Sequence, residues 1–169
     1  MSQNSGSVTN SRSLEDDRLS VSGTAEGVRP ERLFRRSDVA TAVAEFHAAF
    51  DLPRRATPSI EIGDLLAKLR GALLEEECGE FLSAIEARDL VAIADALADV
   101  VYVAYGTAVT YGIDLDLILS EVHRANMSKL DDSGKPIKRA DGKVLKSQWY
   151  TPPDVKAMLQ NQSPLVFPC

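Results

Sequence analysis

An all-α bundle of four to five helices, trailed by a short C-terminal hairpin, is the fold this sequence predicts, and three observations carry it. Apolar residues recur with the helical period over 39–50, 60–87 and 114–130. Residues 89–111 are apolar nearly all round, as in a central buried helix, and run on for longer than a strand usually does. Extended character is confined to short arms within 131–150.

The 169 residues, 44% hydrophobic and 26% charged, suit one soluble domain with a real core. A formal charge of −6 argues against a nucleic-acid or anionic-membrane surface, but a local basic patch could still hold a small phosphorylated ligand. Two cysteines, Cys78 and Cys169, give neither metal-ligand spacing nor a disulfide framework, and Cys78 reads as a small core filler. No apolar run approaches a membrane span and the N-terminus lacks a signal-peptide pattern, so a reducing cytoplasm is the expected compartment. Residues 1–30, rich in Ser, Asn, Thr and Gly, read as a disordered tail, with the domain over 31–160 and a C-terminal tail over 161–169.

Ser37 is placed to cap a first helix whose stripe is Val39, Val43, Phe46 and Phe50, ending before Leu52-Pro53. His47 sits beside that stripe and reads as a packed or surface histidine rather than a ligand. Past a proline-bearing loop over 53–59, the second helix covers about 60–87, with Ile62, Leu65, Leu66, Leu69 and Leu73 in one stripe. Projected forward at about 100° per residue, that stripe brings Glu76 and Glu80 near its centre and Glu77 onto its flank, while Glu75 points away. The hydrophobic face does not stop; it turns acidic.

On the third helix Asp95 and Asp99 stand four residues apart, in a sector that also holds Ala92, Ala96, Gly106 and, at its edge, Tyr102. Small residues there admit a neighbouring helix or a ligand. Gly112 ends this helix and Asp114 caps the fourth, which runs to about residue 130. Its stripe of Leu115, Leu119 and Val122 continues through Asn126 and Lys129. Asp132-Ser133-Gly134 and Ala140-Asp141-Gly142 read as turns, and Lys135, Lys138, Arg139, Lys143 and Lys146 make the hairpin region the basic patch of an acidic chain. Thr151-Pro152-Pro153-Asp154 opens a short last helix.

Carboxylates aimed into a helical core are costly unless they are paired or bound to a cation. Oxygen donors without histidine or thiolate support suit magnesium, with manganese as the alternative, and the usual chemistry is phosphoryl transfer or hydrolysis. Asn126 and Lys129 offer an amide and an ammonium to a polyphosphate. No Walker loop, dinucleotide-binding glycine pattern or nucleophilic triad appears in the chain.

Glu76-Glu77-x-x-Glu80 followed by an acidic motif ending at Asp99 resembles the signature of the MazG-like all-α nucleotide pyrophosphohydrolases, which include phosphoribosyl-ATP pyrophosphohydrolase and the all-α dUTPases. The similarity extends through the segments 98–107, 121–129 and 139–146, which resemble a bacterial MazG-like branch with dUTPase-like activity that includes an example in Deinococcus. The resemblance implies a helical bundle completed by homodimerisation and hydrolysis of a nucleoside triphosphate to the monophosphate and pyrophosphate. It makes Glu76, Glu80 and Asp99 metal ligands, Glu77 a ligand or the group that orients the attacking water, and Glu76 and Glu77 the catalytic pair. Asn126 and Lys129 would hold phosphates, Tyr102 would line the nucleotide pocket, and Lys143 and Lys146 would clamp phosphate from the hairpin. One departure stands out: the family glutamate position on the third helix is Ala96, and Asp95, one residue earlier, is the carboxylate left to substitute for it. Phosphoribosyl-ATP hydrolysis and a non-catalytic nucleotide-binding module are the alternative expectations.

Overall fold

The computed structural model describes residues 37–167; the tail expected over residues 1–30 lies outside that span. Five helices follow one another: α1 (Asp38–Ala49), α2 (Asp64–Ala87), α3 (Leu90–Tyr111), α4 (Leu115–Met127) and α5 (Val155–Asn161). α2 and α1 pack on α3, and α5 packs on α4. Between α4 and α5 the expected hairpin forms through the bridges Leu130 to Pro136 and Lys138 to Val144.

Side-chain caps set most of the boundaries. Ser37 Oγ accepts from the Ala40 amide, Asp114 Oδ1 from Leu117 and Asp154 Oδ1 from Ala157. α2 starts at Asp64 rather than near residue 60, because Gly63, with φ +88, holds the chain out of the helical region just before it. At its other end Arg88 adopts the left-handed conformation, and Asp89 Oδ1 takes the amides of Val91 and Ala92. Two residues therefore turn α2 back antiparallel onto α3. α4 stops at Met127, a few residues short of the expected end.

The buried face of α1 is Ala40, Val43, Ala44 and His47, so the stripe drawn through Val39, Phe46 and Phe50 is rotated from the true inner face. Val43 belongs to a core cluster with Ala40, Tyr105 and Val109. Tyr105 also donates its hydroxyl to Asp116 Oδ1 at 2.7 Å, and Asp116 Oδ2 accepts the Ser37 amide at 2.7 Å, joining α3, α4 and the start of α1.

The segment 51–63 wraps the C-terminal end of α3, where the Arg55 and Ser59 amides donate to the carbonyls of Val109 and Tyr111. Gly112 completes this joint. Its φ of +74 disfavours a side chain, and a Cβ there would stand 2.1 Å from the Thr57 carbonyl oxygen. Gly112→Ala is therefore expected to cost roughly 1–3 kcal/mol, read as a lower midpoint in urea unfolding at unchanged m-value.

Three expectations are corrected. α3 is buried only in its C-terminal half and at Ala96, while Leu90, Val91, Leu97 and Val101 near its start are exposed. By length and composition α3 is also apolar enough to cross a bilayer, contrary to the expectation that no run approached such a span. Cys78 is exposed, because it falls on the side of α2 turned away from α3, and so fills no core.

Candidate functional site

The register of α2 against α3 builds the site. The buried residues of α2 are Arg70 and Ala84, fourteen residues apart, and Glu77 lies midway on the same line, half-buried. That line runs roughly 60° round the helix from the leucine stripe, at about 100° per residue. Leu65 is accordingly 86% exposed and Leu69 52%. The expected order of the glutamates is thus corrected: Glu77 faces α3, and the exposed Glu76 and Glu80 flank it rather than occupying the centre.

The carboxylates of the two helices nevertheless share one neighbourhood. Burial pushes the Glu77 carboxyl above its ordinary value, and the charges of Asp99, Glu80, Glu76 and Asp95 push it further, in that order. Beside this cluster, toward the α2–α3 turn, lies an open cavity of about 540 Å³. Glu76, Glu80, Asp89 and Asp95 line it together with small residues that include Ala96. Asp95 therefore enters the same cavity as Glu76 and Glu80, and Ala96, where a longer acidic side chain would fill space, is 4% exposed and forms part of its wall.

Among the described residues no three acidic, histidine or cysteine side chains stand as a ready-made cation cage. The donor chemistry still fits a hard divalent ion, since the converging groups are carboxylates and such an ion commonly takes few of them, completing its shell with water and phosphate.

The other expected residues lie apart. Tyr102, three residues beyond Asp99, is half-exposed and meets the Phe46 ring edge-on at 5.6 Å, beside Phe50. Asn126 Oδ1 accepts from Lys129 Nζ at 2.7 Å, so the two side chains lie together. Lys146 lies over the Tyr150 ring at 4.4 Å, and Lys143 is exposed on its hairpin arm. Among the described residues no hydrogen bond or ion pair links Asn126, Lys129, Lys143 or Lys146 to the acidic cluster. The hairpin root is instead tied to α4: Arg124 donates to both Glu121 oxygens and to Thr151 Oγ1, while the Asp154 amide donates to Glu121. Arg124 accordingly holds the Glu121 carboxyl down at about 2.

His47 proves to be the packed histidine expected from the sequence. It is 2% exposed, with Nδ1 against the Pro53 carbonyl at 3.0 Å, and burial, with Arg70 and Arg54 adding to it, lowers its pKa. Arg70 escaped the sequence reading. Its signal was its position, two helical turns before Glu77 within the leucine-rich part of the helix, opposite the Gly106-Thr107 pair.

Residues 43–126 match the family model of phosphoribosyl-ATP pyrophosphohydrolase, a segment that holds all five carboxylates and Asn126 but stops short of Lys129 and the hairpin. An uncharacterized protein of Acanthamoeba polyphaga mimivirus is 34% identical over 109 residues, 61% of this chain. The aligned part spans 41% of that relative's length. Over residues 43–126, which carry the acidic cluster, the chain is thus similar to the phosphoribosyl-ATP pyrophosphohydrolase branch of the MazG-like all-α nucleotide pyrophosphohydrolases.

Proposed function

We propose that this protein hydrolyses a nucleoside or deoxynucleoside triphosphate to the monophosphate and pyrophosphate in a magnesium-dependent reaction, clearing unwanted nucleotides such as dUTP. The observation that carries this reading is the half-buried Glu77 facing Asp99 across the α2–α3 seam, with Glu76, Glu80 and Asp95 around it. Magnesium, or manganese in its place, would supply charge neutralisation at phosphate oxygens and a more acidic water.

Glu76, Glu80, Asp99 and Asp95 hold the ion in this reading. Glu77, the carboxyl with the raised proton affinity, orients the water and accepts its proton, with Glu76 beside it as the second catalytic carboxylate. Tyr102 with Phe46 offers an aromatic wall to the base. Asn126 and Lys129 take phosphate, and Lys143 and Lys146 reach it from the hairpin, for which a second copy of the chain is the natural recipient. A homodimer would also cover the apolar side chains that α2 and α3 leave open.

The match to the phosphoribosyl-ATP pyrophosphohydrolase model favours one competing reading, hydrolysis of that substrate. Ala96 favours another, a helical module that binds nucleotide without turning it over. Pyrophosphate release measured over canonical and damaged deoxynucleoside triphosphates and phosphoribosyl-ATP, with and without magnesium, separates the three. Turnover of phosphoribosyl-ATP alone selects the second reading, and nucleotide binding without release selects the third.

The raised Glu77 carboxyl also fixes a pH dependence. The folded state keeps this proton more tightly than the unfolded chain, whose value is near 4.5, so stability falls as pH rises from there through the raised folded value. A bound divalent cation opposes that loss and competes with the proton. Manganese at about a hundredfold excess over its Kd is therefore expected to add roughly 2–3 kcal/mol at about pH 8, and much less at about pH 4.5, measured as thermal midpoints at both pH values.

A further inference from the structure

Arg70 is a buried cation to which the hydrolytic reading assigns no task. The residue is 8% exposed, and among the described residues no ion pair accompanies it. Its guanidinium instead bonds α3 directly: Nε donates to Thr107 Oγ1 at 3.1 Å and Nη2 to the Val103 carbonyl at 3.0 Å. Thr107 Oγ1 in turn donates to the same carbonyl at 2.8 Å, closing a triangle.

The fork can approach because position 106 is glycine. A Cβ there would stand 2.6 Å from Arg70 Nη2 and 2.9 Å from His47 Nε2, so any side chain would force both to shift. His47 is held by the Pro53 carbonyl on its other nitrogen. Among the described residues, the Arg70 bonds are the side-chain hydrogen bonds that join α2 to α3. Farther along the same seam, the charges of Asp99, Glu80, Glu76 and Asp95 act against that of Glu77.

We propose that Arg70 is a positioning residue, which locks the register of α2 against α3 and so holds Glu77 opposite Asp99. This rests on the hydrolytic reading above. Arg70 lies two turns from Glu77, about 10 Å along the helix axis, which is too far for an ion pair, so it acts through helix placement. A bidentate guanidinium suits this role better than an ammonium, because it fixes direction as well as distance.

The test is titration of the full chain with manganese ion alone, by calorimetry, at a temperature where circular dichroism shows each variant folded. Arg70→Met is expected to weaken manganese binding by about 2–30-fold, the size of a coupling carried through packed helices. Arg70→Lys, which can keep one of the two bonds, should recover part of that loss. Thr107→Val, a milder change that removes the Nε acceptor, should weaken binding several-fold, and it decides the matter should Arg70→Met not fold.

Manganese affinity unchanged in folded Arg70→Met, or in Thr107→Val where Arg70→Met does not fold, overturns the proposal and leaves Arg70 a packing residue. Glu80→Gln, which removes one of the carboxylates that hold the ion in that reading, separates this failure from failure of the functional reading. If Glu80→Gln abolishes manganese binding while the Arg70 and Thr107 variants retain it, only the positioning role falls. If wild type binds no manganese, both fall.

Discussion

Glu77→Gln is expected to lower magnesium-dependent pyrophosphate release by about 10²–10⁴-fold, the range for loss of a positioned acid–base group, with the helical content kept. The substitution keeps the shape of the side chain and removes its charge. In the free protein that removal relieves repulsion, because Asp99, Glu80, Glu76 and Asp95 all act against the Glu77 carboxylate. The variant should therefore be at least as stable as wild type in the absence of cation while losing activity, a combination that a structural role would not give. Thermal midpoints in chelator and initial rates in magnesium measure the two halves. A variant that loses stability in chelator and keeps normal turnover would remove Glu77 from the reaction and point to a packing role. Glu80→Gln is expected to lose activity as well, but with less gain in stability, since Glu80 is exposed.

Much of this site was legible because its residues break local rules. Carboxylates continuing an apolar helix at its own spacing mark the neighbourhood of Glu76, Glu77, Glu80, Asp95 and Asp99. The caps Ser37, Asp114 and Asp154 were legible for a simpler reason, as short polar side chains ahead of helical periodicity. The phase of α2 was not. Hydrophobic periodicity reports every face that is kept from water in the working protein, and on α2 the leucines and the inner line of Arg70, Glu77 and Ala84 point in different directions. A pattern reader follows the leucines and so sets Glu77 on the flank. Arg70 was missed because its burial depends on acceptors supplied thirty-three and thirty-seven residues later, by Val103 and Thr107, a pairing that only the antiparallel turn creates.

The same mismatch of faces gives the second large effect. Leu65, Leu82, Leu90 and Val91 are each at least 60% exposed, and Leu69, Ile85, Leu97 and Val101 lie between 44% and 52%. Soluble monomers rarely leave so many large apolar side chains open on two adjacent helices, so a second copy of the chain is the expected cover. Leu82→Glu with Val91→Glu is therefore expected to convert a dimer to monomers in sedimentation velocity at micromolar concentration. Each lost burial is worth about 1.5–3 kcal/mol and occurs twice across a two-fold axis, so the pair removes roughly 6–12 kcal/mol of association energy. A nanomolar dimer corresponds to about 12 kcal/mol, so a loss of that size exposes the monomer at ordinary concentrations. Neither residue lines the carboxylate cavity, so any fall in pyrophosphate release would report the need for the second subunit rather than damage to the acidic cluster. A wild-type chain that sediments as a monomer would instead mean that these helices are covered by a different partner, and the route from the hairpin lysines to a second copy's acidic cluster would be lost with the dimer.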